Sequence, residues 1–182
     1  MHVEAVRGDI TRQQVDLIVN AANGSLLGGG GVDGAIHRSA GPALLSECRQ
    51  LRRTTYPDGL PDGDAVATSA ANLPSRWVIH TVGPRRWEHE DGGAALLASC
   101  HRRSLEVADG LGATAIAFPA ISCGAFGWTA QEAAPIAIAA VRTFAAGHPS
   151  SSVALVRFVL FDPDSHAASV ESTTEAKASW IS

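Results

Sequence analysis

Between an apolar run and an amphipathic one, the segment NAANGSLLGGGGVDGAIHRSAGP (Asn20 to Pro42) places four consecutive glycines. A chain omits four side chains in a row where its backbone turns tightly or comes very close to something else. The residues before it, VDLIVNAA (Val15 to Ala22), have the apolar, β-branched character of a strand; those after it carry apolar residues at helical spacing, from about Val32 to Leu51. Consecutive glycines let backbone N–H groups reach an oxyanion with no Cβ in the way. The N-terminus of a following helix adds partial positive charge, so such a loop suits a phosphate. Taken singly, the same loop is equally well explained as a tight turn.

A second loop of the same kind removes much of that ambiguity. SCGAFGWT (Ser122 to Thr129) follows the apolar run AIAFPAI (Ala115 to Ile121) and leads into a helical pattern from about Ala130 to Ala146. That helix has Thr129 and Glu132 placed as a capping box, and Gly147 followed by Pro149 as its stop. Further strand candidates are HVEAV (His2 to Val6), AVATSAA (Ala65 to Ala71), WVIHTV (Trp77 to Val82) and VALVRFVLF (Val153 to Phe161), with one more helix from about Gly93 to Leu111. Several of these strands are almost continuously apolar, as strands are when helices cover both faces of a mostly parallel sheet. The expected fold is an α/β three-layer domain. In open parallel sheets ligands gather outside the carboxyl ends of the strands, where both glycine loops fall, and two such loops together suit a diphosphate.

Length and composition narrow the function classes. A chain of 182 residues forms one domain and buries roughly 70% of its unfolded surface. We place that domain at residues 1–168, with 169–182, rich in Ser, Thr and Ala, as a poorly ordered tail. A net charge of −4 argues against generic nucleic-acid binding, which needs a basic face. Cys48, Cys100 and Cys123 are odd in number and widely spaced, which suggests neither a disulfide framework nor a zinc site and fits a reducing compartment. With no signal-like segment and no long apolar stretch, the expected location is the cytoplasm, away from membranes.

Gly29, Gly31 and Gly34 formally spell the G-x-G-x-x-G of dinucleotide-binding folds. That motif closes a turn straight out of the strand and has an acidic residue at the end of the next strand about twenty positions on. Here Asn23 to Gly28 intervene, and the later region reads LRRTTYPDG, which is no strand. There is no G-K-[ST] phosphate loop either. A nicotinamide-dependent oxidoreductase is therefore disfavoured.

Five blocks in order, GDIT (Gly8 to Thr11), VDLIVNAAN (Val15 to Asn23), LLGGGGVDGAIHRSAGP (Leu26 to Pro42), WVIHTVGP (Trp77 to Pro84) and PAISCGAFGW (Pro119 to Trp128), make the chain resemble the macrodomain family, specifically its MacroD-type ADP-ribosylhydrolases. The resemblance runs from about Val3 to Phe161. It implies an α/β/α domain with a mixed, mostly parallel six-stranded sheet and an ADP-ribose cleft across the strand ends. It implies that Asp9 accepts from the adenine amine, that the Ile10 N–H meets a ring nitrogen, and that Phe161 stacks on the base; a Phe closing a buried strand is the other reading of Phe161. The diphosphate would lie on Gly30, Gly31 and Val32 of the first loop and on Ser122, Cys123, Gly124, Ala125 and Phe126 of the second. Asn20 is left as a structural asparagine or a ribose contact.

Asn23 and Asp33 match the pair that the hydrolytic branch uses, Asn23 orienting the distal ribose and Asp33 positioning the attacking water. A carboxylate beside a diphosphate gains a pure binder little, since like charges repel. By itself Asp33 would pass for a charge offsetting the helix dipole, and Asn23 for a turn residue. The implied function is removal of mono-ADP-ribose from acidic side-chain esters of proteins, together with deacetylation of O-acetyl-ADP-ribose. The alternative is a non-catalytic ADP-ribose reader. Expected partners are ADP-ribose and mono-ADP-ribosylated proteins, with ADP-ribosylated nucleic-acid ends left open; a monomer is consistent with the sequence. No cofactor and no metal are called for. Cys123 lacks an assignable base, and His37 and His80 receive no role. Past Phe161 the family pattern lapses, with Ser169 near the place of a second aromatic.

Overall fold

In a computed structural model, residues 1–89 and 93–178 are described. Six strands form one sheet: β1 (His2–Arg7), β2 (Leu17–Ala22), β3 (Ala65–Ser69), β4 (Trp77–Val82), β5 (Ala115–Phe118) and β6 (Leu155–Leu160). Their order across the sheet is β1-β6-β5-β2-β4-β3, parallel throughout except for β3, which runs antiparallel to β4 at one edge. This is the mixed, mostly parallel arrangement expected from the sequence. β2 and β5, the strands feeding the two glycine loops, are neighbours at the centre, so both loops emerge side by side from the same end of the sheet.

Helices α1 (Gly31–Ala40), α2 (Pro42–Thr54), α3 (Ala94–Gly110), α4 (Ala130–Gly147) and α5 (Pro163–Ala178) complete the chain. Two apolar layers result. Ile18, Ile36, Leu44, Cys48 and Val78 pack between one sheet face and α1 with α2; Leu17, Val19, Ile79, Leu97, Leu105, Ile116, Phe118 and Val141 pack between the other face and α3 with α4. Alternate residues of β2 thus serve opposite layers, as the two-residue period of a strand requires. The carboxylate of Asp16, just before β2, accepts from Thr114 N, Thr114 Oγ1 and Ala115 N at 2.7–3.1 Å, fastening the starts of β2 and β5 together. Those bonds hold its pKa below the usual carboxylate range.

The capping box of α4 is present, with Thr129 Oγ1 accepting from Glu132 N and the Glu132 carboxylate accepting from Thr129 N. Two expectations need correction. The single helix from Val32 to Leu51 is two helices, because Gly41 takes φ +80° and Pro42 starts α2 at the position where a proline costs no hydrogen bond. The boundary at residue 168 falls inside α5, a continuous helix to Ala178 that packs on α4 and β1; residues 179–182 of the expected tail lie outside the described residues. Its buried face is Ser165, Ala168, Ser169, Ser172 and Thr173, a helical period written in small residues. Ser172 and Thr173 donate to the carbonyls of Ala168 and Ser169, so their hydroxyls are buried without loss.

Phe118 is fully buried at the end of β5, with its ring 5.7 Å from that of Phe158 and 5.1 Å from His101. Phe118→Ala should cost about 3–5 kcal/mol, read from the denaturation midpoint in urea. A loss below 1 kcal/mol would mean that this layer is not close-packed.

Candidate functional site

A cleft of about 830 Å³ opens across the carboxyl ends of β1, β6, β5 and β2. Its walls include Gly8, Asp9 and Ile10 after β1, Gly31 and Val32 at the start of α1, Cys123 and Gly124 of the second loop, and Phe161 after β6. Seven of the residues singled out in the sequence are therefore brought onto one surface. Trp128, bulky after the second loop, lines it too, and so do Arg38, Thr129 and Gln131, which were not anticipated. Asn20, Asn23, Gly30, Asp33, Ser122, Ala125 and Phe126 are not among the lining residues.

At one end, Asp9 caps a 3-10 turn (Ile10–Arg12), its Oδ1 accepting from Thr11 N at 2.9 Å and from Thr11 Oγ1 at 2.7 Å. Those bonds aim the carboxylate; Oδ2 lies 3.6 Å from the Arg12 guanidinium at the surface. Phe161 is 83% exposed, which decides between its two readings: it is not a core residue ending a strand but an aromatic face offered at the cleft. In the first loop, Gly30 caps α1 with no side-chain bond, and a Cβ placed on it would meet nothing within 4 Å. Packing within the protein therefore does not explain that glycine. In the second loop, Gly124 has φ +99° and likewise faces open space, while Arg86 N donates to Phe126 O and the Arg85 guanidinium lies 5.1 Å from the Phe126 ring centroid.

Asn23 and Asp33 meet at Gly29. A Cβ there would lie 3.0 Å from Asp33 Oδ2 and 3.1 Å from Asn23 Nδ2, so the bare backbone is what lets the two side chains come together. Asn23 Nδ2 donates to Gly28 O at 3.1 Å, and its Oδ1 accepts from Ser25 N at 3.0 Å and from the Ser25 hydroxyl. Asp33 is buried: Oδ1 accepts from Asn20 Nδ2 at 2.7 Å and lies 3.4 Å from His37 Nε2, while Oδ2 has no protein partner.

These features, a mixed sheet with paired glycine loops at its strand ends and an acid behind the first, coincide with what the comparisons find. The profile of the Macro domain family matches residues 19–137. A macro domain-containing protein of Streptomyces coelicolor is 58% identical over 160 residues, covering 88% of this chain and 91% of its own. The chain belongs to the macro domain family. Among solved structures, the Oceanobacillus iheyensis macrodomain with ADP aligns with a TM-score of 0.90 at 42% identity, over 96% of this chain and 91% of that one. The Trypanosoma brucei macrodomain in complex with ADP-ribose aligns with a TM-score of 0.85 at 37% identity, over 94% of this chain and 69% of that one. Among the described residues, no helix of this macro domain is long and apolar enough to cross a membrane.

Behind its first glycine loop the macro domain holds a polar cluster whose histidines sequence reasoning left without a role. Asn20 and His80 are register partners on β2 and β4, both fully buried and facing α1 and α2. His80 Nδ1 is 3.1 Å from Asn20 Nδ2, and His80 Nε2 is 3.0 Å from Thr68 Oγ1 and 3.7 Å from Cys48 Sγ. The one legible signal was His37, four residues after Asp33 and hence on the same side of α1. His37, Cys48 and His80 place ligand-type atoms within 4.8 Å of one another, a grouping with metal-binding chemistry. Both ring nitrogens of His80 are already engaged, and burial, followed by the charges of Asp33 and Glu47, pushes the Cys48 thiol up to about 12. Burial also takes His80 down to about 3, a neutral ring at physiological pH. Cys123 is raised to about 11 by burial, so its thiolate is not favoured.

Burial raises the pKa of Asp33, and that effect outweighs the Asn20 hydrogen bond and the attraction of His37, both of which lower it. A carboxyl whose pKa is higher folded than unfolded stabilises the fold most at low pH, and the advantage fades as pH rises through the folded value. Asp33→Asn should therefore have the higher melting temperature at pH 8, with the gap closing below about pH 3.8, where the acid is protonated in both states. A gap of opposite sign, or one independent of pH, would show that the Asn20 bond dominates.

Proposed function

We propose that this macro domain binds ADP-ribose and, as a MacroD-type hydrolase, removes it from acidic side chains of mono-ADP-ribosylated proteins. The observation that carries this reading is a buried carboxyl, Asp33, tethered through one oxygen and unpartnered at the other, beside the glycine loop and against Asn23. The adenine is assigned to the end formed by Asp9, the Ile10 N–H and Phe161. An ionised carboxylate accepts from an exocyclic amine, and an exposed aromatic face supplies stacking. The diphosphate is assigned to the N–H groups of Gly30, Gly31 and Val32 and of the loop Ser122 to Phe126. Gly30 and Gly124 present bare backbone to open space there, and the N-termini of α1 and α4 add favourable potential. Arg38 on the cleft wall contributes a cation.

This arrangement carries the distal ribose past the first loop toward Asn23 and Asp33. Asn23 orients the sugar by hydrogen bonding, and the free oxygen of Asp33 holds a water aligned on the ester that joins ribose to its carrier. Water adds, the ester C–O bond breaks, and the products are ADP-ribose and a free carboxylic acid. A carboxyl with a raised pKa accepts a proton more readily than an ordinary one, which suits it to drawing a proton from that water. The same chemistry applied to an acetyl ester yields acetate and ADP-ribose from O-acetyl-ADP-ribose. An ADP-ribosylated nucleic-acid end would place a phosphate ester where the protein ester stands. The chain's assigned compartment is the cytoplasm, and no cofactor or metal takes part in the proposed step.

Incubation with a glutamate-linked mono-ADP-ribosylated protein should release labelled ADP-ribose. Asp33→Ala should retain ADP-ribose binding yet lose about 10²–10⁴ in rate. Binding without release by the wild type, over ester and other linkages, would make the domain a reader. In a calorimetric titration with ADP-ribose, Phe161→Ala should weaken binding by about 1–3 kcal/mol. Unchanged affinity would place the adenine elsewhere.

A further inference from the structure

His80 is a fully buried histidine in the apolar layer beneath the glycine loop, and the proposed hydrolysis does not use it. Groups from four other elements surround it: Asn20 from β2, Thr68 from β3, Cys48 from α2 and, through Asn20, Asp33 with His37 from α1. Glu47, also on α2, is engaged elsewhere by Ser69 N and the Ser69 hydroxyl.

The hydrogen bonds fix the tautomer of the ring by elimination. The single hydroxyl proton of Thr68 goes to Ser69 O at 3.1 Å, so at 3.0 Å Thr68 Oγ1 must accept from His80 and Nε2 carries the proton. In a neutral imidazole Nδ1 is then a bare acceptor, and it takes one N–H of Asn20 at 3.1 Å. The other N–H of the same amide goes to Asp33 Oδ1 at 2.7 Å. Turning the amide over would set two acceptors against each other at both contacts. The ring therefore determines which way Asn20 faces, and Asn20 determines which oxygen of Asp33 is tethered.

Resting on the hydrolase reading above, we propose that His80 is a positioning residue: it holds the Asn20 carboxamide in the orientation that tethers Asp33 Oδ1, leaving Asp33 Oδ2 turned toward Gly29 and the sugar. It touches no substrate. The chain Thr68–His80–Asn20–Asp33 crosses three strands and one helix, and it leaves Asp33 Oδ2, a buried acceptor beside Gly29, unpartnered.

Two arms test this. In the kinetic arm, His80→Leu should lower kcat toward about 100-fold, the scale of an angstrom's misplacement, while ADP-ribose affinity holds within about threefold, the pattern of an interaction used only in the transition state. The acid limb of the pH profile should move with it. His80→Asn, which restores an acceptor near the Nδ1 position, should recover most of the loss. Thr68→Val, close in shape, should reproduce a weaker form of the defect and serves if His80→Leu does not fold. Folded His80→Leu and Thr68→Val proteins with wild-type kcat and pH profile would overturn the proposal.

The second arm needs no turnover. Nitrogen-15 spectra of the free protein should show His80 protonated at Nε2 and unprotonated at Nδ1; protonation at Nδ1 would overturn the proposal directly. Should the wild type bind ADP-ribose and release nothing, the hydrolase reading fails by itself. The carbon-13 titration of the Asp33 carboxyl then decides the positioning role: it should shift in His80→Leu and return in His80→Asn, and an unmoved titration would sink it.

Discussion

An amide in the middle of an apolar strand obliges the surrounding layers to supply its partners. Asn20 is fully buried on β2, and an unmet donor there would cost about 1–3 kcal/mol. Both of its N–H groups are met, one by a neighbouring strand and one by the helix packed above. That requirement ties α1 to the sheet at a defined height and turn. Because α1 begins in the glycine loop, the loop is held from beneath. A binding loop built from bare backbone has little of its own to keep its shape, and this one borrows stiffness from a polar contact a full layer down.

The two ends of the cleft are organised by different means. Where Asp9 sits, a carboxylate is aimed by the backbone N–H and hydroxyl of Thr11 and an aromatic ring stands free in solvent, so that end is shaped by side chains. Toward Gly30 and Gly124, backbone conformation dominates and the adjoining helices contribute through their termini. The acid at Asp33 lies against the loop at Gly29 but is buried. Burial keeps its proton affinity high and lessens its repulsion of a bound anion.

Much of this was legible in the residues. The alternation of apolar runs with helical spacing located all six strands, and β4 matched to the residue, because strands covered on both faces are nearly continuous in Val, Ile and Leu. The capping box at Thr129 was readable since both partners lie within four residues. The break at Gly41-Pro42 was equally local, but the apolar spacing continues across it and masked the stop. The face of α5 escaped because burial against α4 is achieved with Ser, Ala and Thr, which a hydrophobic pattern does not register. Among candidate site residues, several whose role depends on nearby backbone, Asp9, Gly31 and Gly124, were found on the cleft, whereas Gly30 was not. His80 was not assignable, since its meaning comes from a strand register linking positions 60 residues apart.

The bend at Gly41 has a geometric effect on this chemistry. In an uninterrupted helix Cys48 would stand about 16 Å further along the axis than His37, well out of reach of it. The break after one short helix changes the course of the segment instead, so that a thiol and an imidazole eleven positions apart come within 4.8 Å. A single residue at positive φ thus turns what would be a rod into a clasp over the buried Asn20 and His80 side chains of the sheet.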